Sequence, residues 1–126
     1  MIKILVAGSR DFADVELVEM ELDALQKKLP TFYMITGGAR GVDMFAKKWC
    51  DKNEIECVVV RPRDETKKVD YLYRNVEMIG MADYVVVFWD GFSSGTRFVI
   101  EYARARNKLY SVVQGVNIYQ QVLPDV

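Results

Sequence analysis

The chain has 126 residues, which is the size of one domain that can hold a core of its own. Its charges nearly cancel, with 17 Lys and Arg against 18 Asp and Glu, so composition provides no general attraction to nucleic acid or to anionic membranes. The sequence contains no histidine, which excludes Ser-His-Asp triads, Cys-His dyads and His-containing zinc sites within one chain.

Cysteine spacing and hydropathy bear on the compartment. Cys50 and Cys57 have neither CxxC spacing nor a second pair, so we expect two reduced thiols. No stretch approaches the roughly 20 apolar residues that span a bilayer, and the apolar opening of the chain ends at Gly8, too early for a signal-peptide core. We therefore predict a cytoplasmic protein with no membrane contact.

Strand and helix patterns alternate along the whole chain. Short apolar runs rich in β-branched and aromatic residues predict buried strands over residues 2–7, 32–36, 55–60, 84–89 and 109–113. Apolar residues at steps of three and four predict helices over residues 15–29, 42–51, 68–80 and 96–107. Asp14 is the expected N-cap of the first helix and Pro30 its end, and Asn107 suits the end of the fourth. The third helix is expected to turn Val69 and Leu72 toward the core.

This alternation predicts an α/β fold with a doubly wound, parallel, five-stranded sheet and helices on both faces. The continuously apolar runs agree, because such strands are covered on both sides. We expect a single domain over residues 1–126, in which residues 114–126 form a tail that is docked on the domain or lies at a subunit contact.

Three connections at the carboxyl ends of predicted strands are rich in Gly, Ser and Thr. They are Gly8-Ser9-Arg10-Asp11-Phe12, Thr36-Gly37-Gly38-Ala39-Arg40-Gly41-Val42-Asp43 and Asp90-Gly91-Phe92-Ser93-Ser94-Gly95-Thr96. Small residues let the backbone approach a ligand, the first N–H groups of a helix point at an anion, and arginines chelate phosphate. Because ligands of doubly wound sheets bind at this edge, we predict a small ligand that bears phosphate. Neither GxxxxGK[ST] nor a GxGxxG after the first strand is present.

The carboxylates near these loops have alternative roles. Asp43 complements the dipole of the second helix or contacts a ribose hydroxyl, and Asp90 is the better candidate for ribose or polar chemistry. Glu101 is either close to the site or a solvated helix residue, whereas Asp83 starts a strand at the opposite edge and is structural. Asp43 and Asp90 can also hold a hydrated Mg²⁺ against a phosphate, although the residues define no metal-ligand set.

The three loops occur in the same order in one family, together with Arg74-Asn75 in the third predicted helix. The sequence resembles the SLOG (Smf/DprA–LOG) superfamily, in its YspA or cpYpsA-related branch of bacteria and their phages, over about residues 1–113. The resemblance implies a Rossmann-like fold that binds nucleotide-derived ligands and commonly forms dimers, so we expect a homo-oligomer. The ligand-binding residues that it implies are Gly8, Ser9, Arg10, Gly37, Gly38, Arg40, Gly41, Asp43, Arg74, Asn75, Gly91, Ser94, Gly95 and Thr96, to which the loop analysis adds Thr36, Asp90 and Ser93.

The chain departs from the LOG-type phosphoribohydrolases of this superfamily at one position. Those enzymes carry PGGxGTxxE with a catalytic Glu, and here that position falls on Phe98 or Val99, which cannot move a proton. We therefore predict a protein that binds an ADP-ribose-like species or a nucleoside phosphate as sensor, carrier or sequestering agent. The alternative is an N-glycosidase acting on nucleoside monophosphates through Glu101 or Asp90. We do not expect nucleic acid as a partner.

Overall fold

The computed structural model describes residues 1–29 and 31–120, and within them it contains one parallel sheet and four helices. The strands are β1 (Ile2–Gly8), β2 (Phe32–Thr36), β3 (Cys57–Val59), β4 (Tyr84–Trp89) and β5 (Leu109–Gln114). The helices are α1 (Val15–Lys28), α2 (Val42–Asn53), α3 (Lys68–Met81) and α4 (Ser94–Ala105). The predicted Rossmann-like α/β fold is confirmed.

The strand order is β3-β2-β1-β4-β5, and every neighbouring pair is parallel. The chain starts in the middle of the sheet, builds β2 and β3 on one side, and then crosses to build β4 and β5 on the other. The order therefore reverses between β1 and β4, which is where a doubly wound sheet opens a crevice. Gly8 pairs with Phe88, so both strands end next to this crevice.

The two faces of the sheet hold separate cores because successive side chains of a strand point in opposite directions. Ile4 and Val6 of β1 pack in a cluster with buried residues of α1 and α2. Leu5 and Ala7 pack in a second cluster with buried residues of α3 and α4. Burial of each larger aliphatic side chain contributes about 1.5–3 kcal/mol, which explains why the strands are apolar without a break.

The element ends agree with the predicted signals at most positions. Asp14 Oδ1 accepts a hydrogen bond from Leu17 N at 3.0 Å, and Asn107 adopts φ +58° just beyond α4. β3 is shorter than predicted. Ile55 N donates to Cys50 O at 2.9 Å, so Ile55 caps the end of α2 instead of starting the strand. Pro30, the expected end of α1, lies outside the described residues.

The first turns of α3 do not pack in the core as predicted. Val69 and Leu72 are 47% and 41% exposed, whereas Arg74, Met78 and Ile79 are the buried residues of this helix. The reason is that the start of α3 flanks a cleft at the sheet edge, which both exposed side chains line. The apolar residues of α3 therefore lie on one face as predicted, but those of its first turns face the cleft and not the core.

The segment after β5 lies against the loop after β1. Ala13 N donates to Val116 O at 3.0 Å and Ile118 N donates to Asp11 O at 2.8 Å. Phe12 and Asn117 pair in an isolated antiparallel β-bridge. This contact carries residues 115–118 back to the crevice at the end of β1. Residues 121–126 of the predicted tail lie outside the described residues.

Hydropathy and the cysteines can be compared with the structure in the described residues. Within residues 1–29 and 31–120, no helix combines the length and apolar character that crossing a membrane requires. Cys50 and Cys57 are free thiols, and the Cys50 Sγ lies 3.4 Å from Met34 Sδ in the core.

Candidate ligand-binding site

A cleft of about 1050 Å³ opens at the carboxyl ends of β1 and β4. Its walls come from the loops after β1, β2 and β4 and from the first turns of α3 and α4. The structure brings together most residues that the sequence singled out, because these line the cleft: Gly8, Arg10, Arg40, Asp43, Arg74, Asn75, Asp90, Ser93, Ser94, Gly95 and Thr96. The cleft is large enough to enclose a nucleotide-sized ligand.

A smaller cavity of about 230 Å³ adjoins the cleft at the loop after β2. Gly37 and Gly38 line this smaller cavity rather than the main cleft. The two cavities share several wall residues, among them Arg10, Tyr71 and Arg74. They therefore form one continuous region with a wide and a narrow part.

The loop before α4 holds the start of that helix in a fixed position. Asp90 Oδ1 accepts hydrogen bonds from Phe92 N and Ser93 N, both at 2.9 Å. Ser93 is the N-cap, and its Oγ accepts from Thr96 N at 3.3 Å. The N–H groups of Ser94 and Gly95 at the first turn therefore lie beside the cleft, where the helix dipole favours an anion by about 0.3–1 kcal/mol.

Ser9 connects the loops after β1 and β4 through its side chain. Its buried hydroxyl accepts a hydrogen bond from Asp90 N at 3.2 Å and lies 3.4 Å from Thr96 Oγ1. Ser9 lines neither cavity, so its contribution is to hold these two loops in register.

Thr36, Gly41 and Gly91 also line neither cavity, although the sequence placed them at the site. Thr36 is fully buried in β2. Gly41 has φ +78°, and a Cβ there would collide with the backbone oxygen of Arg10, so glycine is needed where the first two loops cross. These residues shape the loops from outside the cavity walls.

Asp90 is an ionised, hydrogen-bonded carboxylate. Burial alone would raise its pKa, but hydrogen bonds from Ser93 N, Phe92 N, the Asn117 amide and the Ser9 hydroxyl outweigh burial and lower the pKa. Both carboxylate oxygens are thus used in holding the loop and the segment after β5. Asp90 is in the cleft wall as predicted, but it is occupied by protein donors.

Asp43 is a buried carboxyl group in the first turn of α2. Burial raises its pKa from 3.8 to about 6, against the opposing effects of the Ala39 N–H, which donates to Oδ2 at 3.2 Å, and of the Arg74 guanidinium. A Cβ on Gly37 would lie 2.5 Å from Arg74 Nη1 and 2.9 Å from Asp43 Oδ2, so the two charges flank Gly37 closely. Asp43 therefore changes protonation in the range in which proton transfer at neutral pH is efficient.

Arg74 is buried, which its position in a helix did not reveal. Its Nη1 donates to Gly37 O at 2.8 Å and to Val60 O at 3.2 Å, and its Nε donates to Asn75 Oδ1 at 3.0 Å. Burial lowers the pKa of Arg74, but a guanidinium remains charged at physiological pH. Asn75 thus has a structural reason to interrupt the helix pattern, because it orients Arg74.

Nothing in the described surroundings of Asp43 and Asp90 indicates a Mg²⁺ site, since backbone N–H groups donate to both carboxylates. Within residues 1–29 and 31–120, no group of three or more His, Cys, Asp or Glu side chains is placed to hold a metal.

The structure does not bring Glu101 to the cleft. This residue is exposed on α4 and does not line the cavity, whereas Phe98 and Val99, which are nearer the start of the helix, do line it. The position of the LOG-type glutamate is therefore at the cleft and apolar, and the interpretation of Glu101 as a solvated helix residue is the correct one.

Several cleft residues were missed from the sequence. They are Glu65, Thr66, Lys68, Val69, Tyr71, Leu72, Met78 and Asn117. Tyr71 had a usable signal, since it lies three positions before Arg74 on the same helical face. Asn117 had no such signal in the sequence, because it reaches the cleft only where the segment after β5 folds back.

Family and structure comparisons agree with this architecture. The model of one family, described as YspA, cpYpsA-related SLOG, matches residues 2–66. A comparison with curated proteins found no match.

Three solved structures are similar to the chain at identities that show the fold alone. DNA processing protein A (DprA) from Streptococcus pneumoniae has a TM-score of 0.75 at 18% identity, over 90% of this chain and 50% of that one. DprA from Helicobacter pylori, described with a single-stranded DNA binding mode, has a TM-score of 0.68 at 19% identity, over 88% of this chain and 64% of that one. TM1055, a structural genomics target, has a TM-score of 0.67 at 21% identity, over 86% of this chain and 72% of that one.

Proposed function

Since the chain belongs to the YspA, cpYpsA-related SLOG family, which indicates nucleotide-related binding or a LOG-like function, we propose that it binds a nucleotide-derived small molecule. The ligand is an ADP-ribose-like species or a nucleoside phosphate, and the protein acts as its sensor, carrier or sequestering agent. The observation that carries the proposal is the convergence of Arg10, Arg74 and the first turn of α4 on one cleft at the point where the strand order reverses.

A phosphate group has a suitable position at the start of α4. The N–H groups of Ser94 and Gly95 lie at this end, and a Cβ on Gly95 would meet nothing within 4 Å, so the backbone there is open to a ligand. Arg10 lines the same cleft and adds a positive charge that can chelate an anion bidentately. The helix dipole and the guanidinium both favour an anionic ligand in this cleft.

Apolar side chains at the cleft suit a base. Val69 and Leu72 of α3 expose apolar side chains to the cleft, and Phe92 at its rim is 69% exposed. An exposed aromatic ring beside a phosphate site offers a stacking surface that every base can use.

Binding without cleavage is the better-supported activity. Phe98 and Val99 occupy the position of the LOG-type glutamate, Glu101 lies outside the cleft, and the Asp90 carboxylate is held by loop N–H groups. The hydrolase alternative rests on Asp43, whose pKa of about 6 suits a proton donor or acceptor.

Calorimetric titration with the four nucleoside 5′-monophosphates and ADP-ribose tests the proposal. The informative variant is Gly95→Asp, which adds a negative charge in open space at the phosphate position and also complements the helix dipole, so the fold is retained. The matched control is the neutral Gly95→Asn. We expect Gly95→Asp to weaken binding at least about tenfold relative to Gly95→Asn, because two like charges would share the site. Absence of binding below millimolar concentrations to folded wild-type protein would overturn the proposal.

The same samples distinguish two alternatives. Chromatography after incubation with the nucleotides would show free base if the protein is a hydrolase, and Asp43→Asn would then abolish its release. Single-stranded DNA is the second candidate ligand, because the similar H. pylori DprA is described with a single-stranded DNA binding mode, so the expectation against nucleic acid has no support from this comparison. Labelled oligonucleotides that bind with a steep salt dependence, and tighter than mononucleotides, would favour it.

Assembly and location remain predictions. We propose a homodimer in the cytoplasm, and light scattering on the purified protein measures the first of these directly.

A further inference from the structure

Four arginines line the smaller cavity beside the cleft, and one of them, Arg40, pairs with Asp11 at 3.1 Å. Arg10 Cζ lies 5.0 Å and Arg74 Cζ 5.3 Å from the centre of the Tyr71 ring, so one ring positions both cations. Arg61 approaches from the loop after β3, and its Cζ and Nη1 would lie 3.3 Å from a Cβ on Gly38. The absence of a side chain at Gly38 therefore lets Arg61 reach the cavity.

The carboxylates around this cavity do not balance these charges. Glu65 is the only acidic residue that lines it among the described residues, and it faces Arg61 at 3.9 Å with both side chains 62% exposed, which makes a loose and weak pair. Asp43 lines the main cleft rather than this cavity, and Arg74 and Arg10 both act on its charge. Arg10 forms no ion pair with any described residue. The cavity is therefore cationic without a ligand.

The size of the cavity limits what it can take. Its volume of about 230 Å³ is below the range of roughly 300–1,000 Å³ typical of pockets that enclose a whole small ligand. It shares Arg10, Tyr71 and Arg74 with the main cleft, so one molecule can reach both parts. An end group of a longer ligand fits these constraints better than a separate molecule.

We propose that Arg10, Arg61 and Arg74 form a second anion subsite around Gly38, and that the ligand is a nucleotide with two phosphates rather than a nucleoside monophosphate. This inference rests on the proposed function, with the first phosphate at the start of α4. Arg74 is held in place by carbonyl oxygens, and Tyr71 packs on it, so the subsite is formed before the ligand arrives. Arg61 then determines specificity because it binds the second phosphate.

Arg61→Gln is the variant that isolates this subsite. Arg61 is exposed on a loop, so its removal does not disturb the core, whereas Arg74→Gln would leave Gly37 O and Val60 O without their donor. Arg106→Gln is the matched control, because Arg106 is an exposed arginine like Arg61 but does not line either cavity.

Calorimetry compares the 5′-monophosphates of adenosine and guanosine with their 5′-diphosphates and 3′,5′-bisphosphates. We expect at least one two-phosphate probe to bind about tenfold tighter than its monophosphate, and Arg61→Gln to remove this gain while monophosphate affinity stays within about twofold. Arg106→Gln should behave like wild type. Equal affinities for one and two phosphates, or a gain that survives Arg61→Gln, would overturn the subsite and leave the nucleotide proposal standing.

Inorganic pyrophosphate provides a probe that needs no base. Its addition should shift the Nε–H resonances of Arg10 and Arg74 in wild-type protein, and Arg61→Gln should weaken this effect about tenfold. If pyrophosphate binds in this way while no nucleotide binds, the subsite holds and the proposed function fails. If pyrophosphate leaves both resonances unchanged, the subsite is overturned.

Discussion

Asp43→Asn is predicted to stabilise the protein at neutral pH. The folded state holds the Asp43 carboxyl in a buried position, where its pKa is about 6 instead of 3.8. Because the folded state binds this proton more tightly than the unfolded state, the contribution of Asp43 to stability falls as the pH rises from below 4 to above 6. Asparagine carries no charge at any pH and should remove this loss.

The size of the effect follows from the two pKa values. The difference between 3.8 and about 6, at about 1.4 kcal/mol for each pH unit, corresponds to about 3 kcal/mol across the whole window. Between pH 4.5 and pH 7.5, the free energy of unfolding of Asp43→Asn should rise by about 2 kcal/mol relative to wild type. A side chain that costs this much stability at neutral pH is typical of a binding or catalytic group.

Urea unfolding at four pH values between 4.5 and 7.5 measures this difference. Comparing the variant with wild type cancels the contributions of the other carboxylates. Gly80→Ala is the control, because it changes no titratable group and should give a profile parallel to wild type. Parallel profiles for Asp43→Asn and wild type would refute the assignment of a buried carboxyl with a raised pKa.

Three further predictions concern the framework of the cleft. Gly37→Ala places a methyl group 2.5 Å from Arg74 Nη1 and should lower the free energy of unfolding by about 1–3 kcal/mol. Gly80→Ala should raise it slightly, because a Cβ there meets nothing within 4 Å. Thermal unfolding of both variants measures these two effects. Asp90→Asn should destabilise the protein at pH 7, with the difference from wild type shrinking as the pH falls through the lowered pKa of Asp90, and equal losses at pH 7 and pH 3.5 would contradict it. Trp49→Phe removes the 2.8 Å hydrogen bond from the indole to Asp23 Oδ1 and should cost about 0.5–1.5 kcal/mol in urea unfolding.

The fold was predictable because its signals are local. Each strand is a short apolar run, Asp14 caps α1 through its own side chain, and Asn107 takes a left-handed conformation beyond α4. The type of sheet follows from few rules, since alternating strands and helices leave little choice beyond a doubly wound sheet. The short β3 was the exception, because only the geometry at the end of α2 shows that Ile55 N bonds back to that helix.

The site was only partly predictable because its chemistry depends on tertiary contacts. The three loops could be placed at one edge from topology alone. The burial of Arg74, the raised pKa of Asp43 and the exposure of Val69 depend on which elements meet across the cleft. Glu101 shows the same limit, since its position on α4 was predictable but the extent of the cleft along that helix was not.

We propose that the first turn of α4 receives the phosphate of a nucleotide-derived ligand. Amide resonances of Ser94, Gly95 and Thr96 report on this position directly when folded protein is titrated with the tightest-binding 5′-monophosphate and, separately, with the corresponding nucleoside. We expect these resonances to shift strongly with the nucleotide and weakly with the nucleoside. Strong shifts that are confined to residues outside the cleft, or equal shifts with both compounds, would contradict it.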